Sequence, residues 1–293
     1  NINKWTIKYQ LEGKDYKNTS EDISFVVNEE GKYNIKIENG EVTSNVVTKN
    51  IGYVKDGLIV YYDGINNTGN GHDSNATIWK DLSGSNNDIT LYNFNNNKES
   101  GWVSDGIILD GIDDYMYREN PLYNKSSTNI TVEVISEKTK SQYGSVLNFG
   151  TITNKRHFLE IWTSEIDDGT NRCYTICHYP GMIYNIPTSE LNLNQLNSIS
   201  YGTNNKETYI YKDGKQINKK TIPEGTDTSW GSHNGLYLGR EYLYAETDGE
   251  IVNGVHCYFA GKIKSVRIYN RLLTKEEIQN NYKMDNYRYK IEE

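Results

Sequence analysis

Alanine is almost missing from this sequence: 293 residues hold only Ala76, Ala245 and Ala260, against an abundance of Tyr and Asn. Such a bias is what AT-rich codons produce, and it points to a low-GC Gram-positive bacterium or one of its phages. Positive charge is also scarce. With 31 Lys and Arg against 39 Asp and Glu, the formal net charge is −8, which argues against nucleic acid and anionic membrane as partners, since both require a basic surface. No apolar run approaches the ~20 residues of a membrane-spanning helix, and the mean hydropathy is −0.76, so membrane insertion is not expected. There is no secretory-leader pattern and the chain opens at Asn1 instead of Met. It therefore reads as a piece of a longer protein whose targeting signals lie elsewhere.

Cysteine is sparse and odd in number: Cys173, Cys177 and Cys257. On one strand Cys173 and Cys177 would stand roughly 13 Å apart, at ~3.3 Å per residue, beyond disulfide reach. Either can reach Cys257, but buried free thiols are the better reading, with no disulfide framework and no zinc site. Catalytic signatures are missing too. Neither Gly-x-Ser-x-Gly nor His-Glu-x-x-His occurs. His72, His157, His178, His233 and His256 show no metal-ligand spacing.

What is present is strand after strand. Residues 1 to about 50 alternate in short runs, Trp5 to Leu11, Ile23 to Val27, Tyr33 to Ile37 and Val42 to Val47, separated by Gly and Asn turns. That pattern predicts a small immunoglobulin-like β module, whole or partial, or a spacer over 1–52. From Tyr53 a larger domain begins, with strands at Leu58 to Tyr62, Ile89 to Tyr92, Gly106 to Leu109, Asn129 to Ile135, Ser145 to Phe149, Arg156 to Trp162 and Arg172 to Tyr179. Asp110-Gly111-Ile112-Asp113-Asp114 reads as a tight hairpin connection, and Glu207 to Ile222 as a hairpin turning at Asp213-Gly214. Gly261 to Tyr282 closes the chain: Ile263, Val266 (after one slip) and Ile268 mark a strand with one buried face. Thr274 and Glu277 then form a capping box, with Leu273 and Ile278 placed as a hydrophobic staple. A helix of roughly Lys275 to Lys283 is expected, plugging an edge or open end of the sandwich.

The closing strand Gly-Lys-Ile-x-Ser-Val-Arg-Ile-Tyr-Asn-Arg and the helix opening Thr-x-Glu-Glu-Ile resemble the end of a laminin-G-like, concanavalin-A-like jelly roll. Asp56 to Asp63, Trp79-Lys80-Asp81-Leu82-Ser83-Gly84, Leu109 to Tyr115 and Tyr211 to Lys215 resemble the same family in its usual order. The resemblance spans about Tyr53 to Tyr289. It implies an all-β fold over 53–293: a two-sheet antiparallel jelly-roll sandwich with one short C-terminal helix. It also implies a lectin-like recognition module of a bacterial or phage surface, tail or receptor-binding protein, extracellular, on a cell surface or on a virion, with a cell-surface glycan as partner and homo-oligomers within a larger assembly allowed. A structural calcium at Asp110, Asp113 and Asp114 is allowed by the chemistry of the oxygens. Tight turns use Asp and Gly for backbone reasons alone, so no cofactor is required and no metal ligand is assigned.

Glucanases of this fold commonly carry Glu-x-Asp-x-(x)-Glu on one strand, aiming two carboxylates about 5–5.5 Å apart at one groove. The nearest match, Glu165-Ile166-Asp167-Asp168-Gly169-Thr170, lacks the last Glu and runs into a turn. A non-catalytic role is therefore expected, with a structural or protein-interaction module second and a glycoside hydrolase third. The candidate ligand-binding residues come from a parity argument. If His157, Leu159 and Ile161 share the core with Cys173, Thr175 and Cys177, then Arg156, Glu160, Trp162, Tyr174 and His178 share the other face. Trp230, Arg240 and Tyr242 would complete the groove edge. Rings for sugar C–H faces, flanked by charged groups for hydroxyls, are what a carbohydrate site needs. Core or cross-strand packing is the competing use of such aromatics.

Overall fold

The structure, a computed structural model, describes residues 6–18, 31–39, 42–119, 129–150, 159–163, 172–178, 182–187, 193–204, 206–222, 224, 235–241, 244–247, 250–253 and 257–291. The chain divides into two compact units, Asn1–Val54 and Lys55–Glu293. In the first, the described strands form a single antiparallel sheet. Thr6–Leu11 pairs with Gly31–Asn39, which also takes Val47–Ile51 and the short Val42–Thr43. The expected strand Ile23 to Val27 lies outside the described residues.

Among the described residues, the second unit is a jelly-roll sandwich of two eight-stranded sheets, with a separate two-stranded ribbon of Tyr244–Thr247 and Glu250–Asn253. The first sheet runs Lys215–Thr221, Glu207–Lys212, Leu196–Thr203, Ile130–Lys138, Ala260–Tyr269, Gly106–Asp110 and Gly101–Val103, with Leu58–Asp63 also paired to Ala260–Tyr269. The second runs Met182–Pro187, Arg172–His178, Leu159–Thr163, Gly144–Gly150, Gly235–Leu238, Tyr115–Glu119, Ile89–Tyr92 and Ile78–Trp79. Between them lies one apolar core that includes Val60, Trp79, Ile107, Val132, Leu147, Ile161, Leu238 and Ile268. Trp79 and Trp102 meet edge to face at 5.1 Å. Their indole N–H groups donate to the Asp63 and Ala76 carbonyls, so neither ring buries an unmet donor.

Three expectations are corrected. The Asp110–Asp114 segment is not a hairpin connection: Gly106–Asp110 belongs to the first sheet and Tyr115–Glu119 to the second, so the turn crosses the sandwich. Asp114, completely buried, ties the crossing by accepting the Asp110 N–H and the Ser100 hydroxyl, both at 2.9 Å. Second, the closing strand is central and buried on both faces. Ile263, Val266 and Ile268 enter the core, while Ser265, Arg267 and Tyr269 are buried on the outer side. The slip seen in the sequence is a β-bulge: Ile135 pairs with Ser265 and Ser136 with Ile263, leaving Lys264 extra.

Third, the helix runs Lys275–Tyr289 and lies on the outer face of the first sheet instead of plugging an end. Its start is as expected: the Thr274 hydroxyl accepts the Glu277 N–H, and the Glu277 carboxylate accepts the Thr274 N–H. Leu273 and Ile278 are both buried. The stripe that faces the sheet is Ile278, Asn281, Asp285 and Tyr289, spaced by helical turns but half polar. Arg267 Nε donates to Glu133 at 2.8 Å, and its two terminal nitrogens bind the Asp285 carboxylate at 2.8 and 2.5 Å. Asn281 donates to Glu133 at 2.8 Å and to the Tyr269 oxygen at 2.9 Å. The Glu207–Lys212 and Lys215–Thr221 hairpin is as expected, and its turn residues Asp213 and Gly214 both take positive φ (48° and 70°), as a tight primed turn requires.

Candidate functional site

The outer face of the second sheet is where the candidate residues converge. Tyr115-Met116-Tyr117 and Gly235-Leu236-Tyr237-Leu238 alternate with period two. Met116, Leu236 and Leu238 belong to the core, so Tyr115, Tyr117 and Tyr237 point outward. The register sets these rings side by side: Tyr115 opposite Tyr92, Tyr117 opposite Tyr237, Tyr237 opposite Asn148, and Asn148 opposite Glu160. Tyr92 and Tyr115 stack nearly parallel at 4.8 Å, and Tyr117 and Tyr237 meet at the same separation. Arg240 lays its guanidinium 3.7 Å from the Tyr115 ring centre and 5.0 Å from that of Tyr237.

Cys257–Phe259 fills the gap beside this cluster. Tyr258 bridges Ser145 on one side and Arg240 on the other. Ser145 in turn pairs with Trp162, whose ring stacks on Tyr143 at 5.8 Å. The face thus has an exposed aromatic group at either end: Tyr92 is 38% and Tyr143 42% exposed. Between them the row is closed, with Glu160, Asn148 and Tyr237 buried. Cys257, a free cysteine, lies among the carboxylates of this face. Burial pushes its thiol up to about 12, aided by the charge and hydrogen bond of Glu241 and by the charge of Glu160. At neutral pH it stays a thiol, which removes it as a nucleophile.

The expected grouping of site residues is changed by one step of register. Glu160 pairs with Cys177 and Trp162 with Thr175, while Leu159 pairs with His178 and Ile161 with Ile176. Positions 174, 176 and 178 therefore share the sheet face of the core residues Leu159 and Ile161, not that of Glu160 and Trp162. The parity argument assumed that both cysteines belong inside. The pairing puts position 177 opposite Glu160 on the outer face. Of the expected set, Glu160, Trp162 and Arg240 come to one face, while positions 174 and 178 fall at register points of the other face. Arg156, Trp230 and Tyr242 lie outside the described residues, as does the Glu165–Thr170 segment. Tyr92, Tyr115, Tyr117, Tyr143 and Tyr237 were missed, although Tyr-x-Tyr in a strand and Leu-Tyr-Leu with a core-facing Leu pair both signal an outward ring.

The Asp110, Asp113 and Asp114 carboxylates lie within 4.8 Å of one another, which makes a cation worth testing. Asp110 accepts the Ile112 N–H at 2.7 Å, and Asp114 is taken up by Asp110 and Ser100. The turn carbonyls are occupied too: the Lys140 ammonium donates to Asp110 O at 2.9 Å and the Gln142 amide to Gly111 O at 3.0 Å. Oxygens already held by N–H, O–H and an ammonium do not suit a hard cation that needs six to eight of them. Burial, with the neighbouring Asp110 and Asp113 charges, pushes the Asp114 carboxyl up to about 6 in spite of its hydrogen bonds.

Residues 110–279, more than half of the chain, match the laminin-G-type family model of the concanavalin A-like lectin/glucanases superfamily. The chain belongs to this superfamily. Similar solved structures include a mutant of Trypanosoma rangeli sialidase displaying trans-sialidase activity, with 14% identity and a TM-score of 0.56 over 87% of this chain and 45% of that one. Domain 4 of AbnA, a GH43 extracellular arabinanase from Geobacillus stearothermophilus solved with arabinotriose, is similar at 16% identity and a TM-score of 0.52, covering 77% of this chain and 98% of that one. The receptor-binding domain of botulinum neurotoxin C/D mosaic serotype is similar at 14% identity and a TM-score of 0.54, with 79% and 52% covered. The chain spans less than half the length of the sialidase chain. At these identities the likeness is one of fold. No curated protein sequence matches the chain.

Proposed function

We propose that Lys55–Glu293 is a non-catalytic, lectin-like module that binds a cell-surface carbohydrate on the outer face of its second sheet, as part of a bacterial or prophage surface or tail protein. The observation that carries this reading is the pair of exposed aromatic groups, Tyr143 on Trp162 and Tyr92 on Tyr115 with Arg240, at the two ends of one sheet face. Sugar C–H faces stack on such rings, and the guanidinium offers hydrogen bonds to hydroxyls. The superfamily fold supports the reading, as do relatives whose own structures hold arabinotriose or form a receptor-binding domain. The non-catalytic part rests on Glu160 and Glu241. These carboxylates flank the Cys257 thiol, and both are buried, out of reach of a scissile bond.

The test is binding of the purified chain to a glycan array rich in bacterial cell-wall polysaccharides, repeated with Trp162→Ala and Tyr92→Ala. A stacked aromatic contributes about 0.5–1.5 kcal/mol, so each substitution should weaken binding by up to about tenfold. A well-folded chain that binds no glycan refutes the proposal. The first unit favours the alternative, an interaction or oligomerising role, because Val42, Val46 and Val47 are all more than half exposed on one short stretch. Sedimentation at increasing concentration reads that role directly, since a chain that stays monomeric excludes self-association.

A further inference from the structure

A cleft lies on the side of the sandwich opposite the proposed glycan face, between the Asp213–Gly214 turn and the C-terminal helix. It is an open groove of about 750 Å³, lined by Lys215 from the hairpin and by Gln279, Tyr282, Lys283, Asn286 and Lys290 from the helix region. Those helix positions recur at three- and four-residue steps, so they form one stripe, distinct from the Ile278, Asn281, Asp285 and Tyr289 stripe that meets the sheet. The turn is shaped to admit it. Gly214 stands where a Cβ would come within 2.6 Å of the Tyr282 ring, so the glycine lets the ring pack against the hairpin.

The charge balance of this cleft is the reverse of the protein's. The chain carries −8 overall, yet the lining brings three lysines together with one carboxylate, Asp213. Asp213 is already compensated, by the Lys212 ammonium and by the Ser198 N–H at 3.0 Å. Lys215 and Lys283 form no ion pair with the described residues. A helix C-terminus by itself attracts cations, which accounts for Lys290 at the C-cap but not for Lys283, more than a turn earlier. It does not account for Lys215, delivered to the same space by a separate hairpin, nor for the mixture of groups around it. Gln279 and Asn286 offer both donors and acceptors suited to hydroxyls. Tyr282 and the exposed Tyr287, over which Lys290 lies at 5.3 Å, offer ring faces. The volume falls in the range of small-molecule sites, far above what one inorganic ion fills.

We infer that this cleft is a second ligand site, independent of the sheet face, that takes an anionic saccharide: carboxylate or phosphate oxygens against Lys215 and Lys283, hydroxyls against Gln279 and Asn286, and a sugar face against a tyrosine ring. Calorimetric titration of the whole chain with four probes tests it: tri-galacturonate for a carboxylated sugar, glucose 6-phosphate for a phosphorylated one, maltotriose as the neutral sugar and inorganic phosphate as the bare anion. One or both anionic sugars should bind saturably, at least about tenfold tighter than maltotriose or phosphate, and more weakly as salt is added. Which of the two binds identifies the anionic group. Lys215→Gln with Lys283→Gln, both at exposed positions, should weaken that binding by about tenfold or more and leave the thermal melt unchanged. Trp162→Ala should leave it intact, which separates this site from the glycan face proposed above. The inference is overturned if neither anionic sugar binds, if phosphate alone binds as well, if the double substitution has no effect, or if Trp162→Ala abolishes the signal.

Discussion

Replacing Arg267 by Met is the most informative perturbation of this fold. Arg267 and its two carboxylate partners, Glu133 and Asp285, are each at most 2% exposed. Burying charges is costly, and the arrangement holds because one guanidinium satisfies both carboxylates, with Asn281 and Ser200 supplying further hydrogen bonds to Glu133. Arg267→Met keeps much of the side-chain volume but leaves two carboxylates facing each other without a cation. Breaking such a pair by removing one partner costs about 3–5 kcal/mol. With a urea m-value of about 3 kcal/mol/M, the unfolding midpoint should fall by about 1–1.7 M. The loss should also depend on pH. Burial already pushes the Glu133 carboxyl above its ordinary value even with Arg267 beside it. Without the cation it rises further, so the native state takes up protons that the unfolded state does not, and the variant's deficit shrinks as pH is lowered from 7 toward 5. Urea titrations of both proteins at several pH values read both effects. Adding Glu133→Met and Asp285→Leu to Arg267→Met removes every stranded charge and should recover most of the stability. A loss below about 1 kcal/mol for Arg267→Met, the size of a surface ion pair, would refute the reasoning.

Two smaller predictions concern the ties at either end of the domain. Asp114 has a carboxyl raised to about 6 by burial, so the folded state holds its proton more tightly than the unfolded chain, whose Asp titrates near ~3.9. Its contribution to stability is therefore most favourable at low pH and declines as pH rises from about 4 to about 6. Asp114→Asn can still accept from Asp110 N and can donate to Ser100 Oγ, so thermal melts across pH should show this slope flattened and the fold retained, whereas unchanged slopes would place the titration elsewhere. Thr274→Ala removes one half of the capping box and should cost about 1 kcal/mol by urea denaturation; a cost near zero would mean that the tertiary contacts of the helix make its cap redundant.

Much of the sandwich was legible because its strands alternate around a single core. Val60, Val132, Ile161, Leu236 and Ile268 sit where period two puts them, and the slip before Val266 announced a true bulge. The far end of the helix was not legible, since its buried stripe carries Asn281 and Asp285, which read as solvent-facing residues until Arg267 and Glu133 are seen beneath them. The same buried polar layer hid the second covered face of the closing strand. At the candidate site, alternation within each strand was right and the pairing between strands was not. The apolar look of the cysteines set the register, whereas the structure pairs Glu160 with Cys177. Tyr92, Tyr115 and Tyr237 belong together only through strands distant in sequence, so no local pattern could group them.

The meeting of Asp63 with Tyr289 has a consequence for how such a domain can be moved between proteins. The Tyr289 hydroxyl donates to the Asp63 carboxylate at 2.8 Å, across 226 residues of chain. At the other end of the same strand, Arg271 Nε donates to the Asp56 carbonyl at 2.9 Å. The domain's entry and its final helical turn are thus separated by little more than one strand, about 20 Å for six residues at ~3.3 Å each. A linker of a few residues spans that gap, so the order of its elements can be rotated, or the whole sandwich set into a loop of a host protein, without reaching into the core.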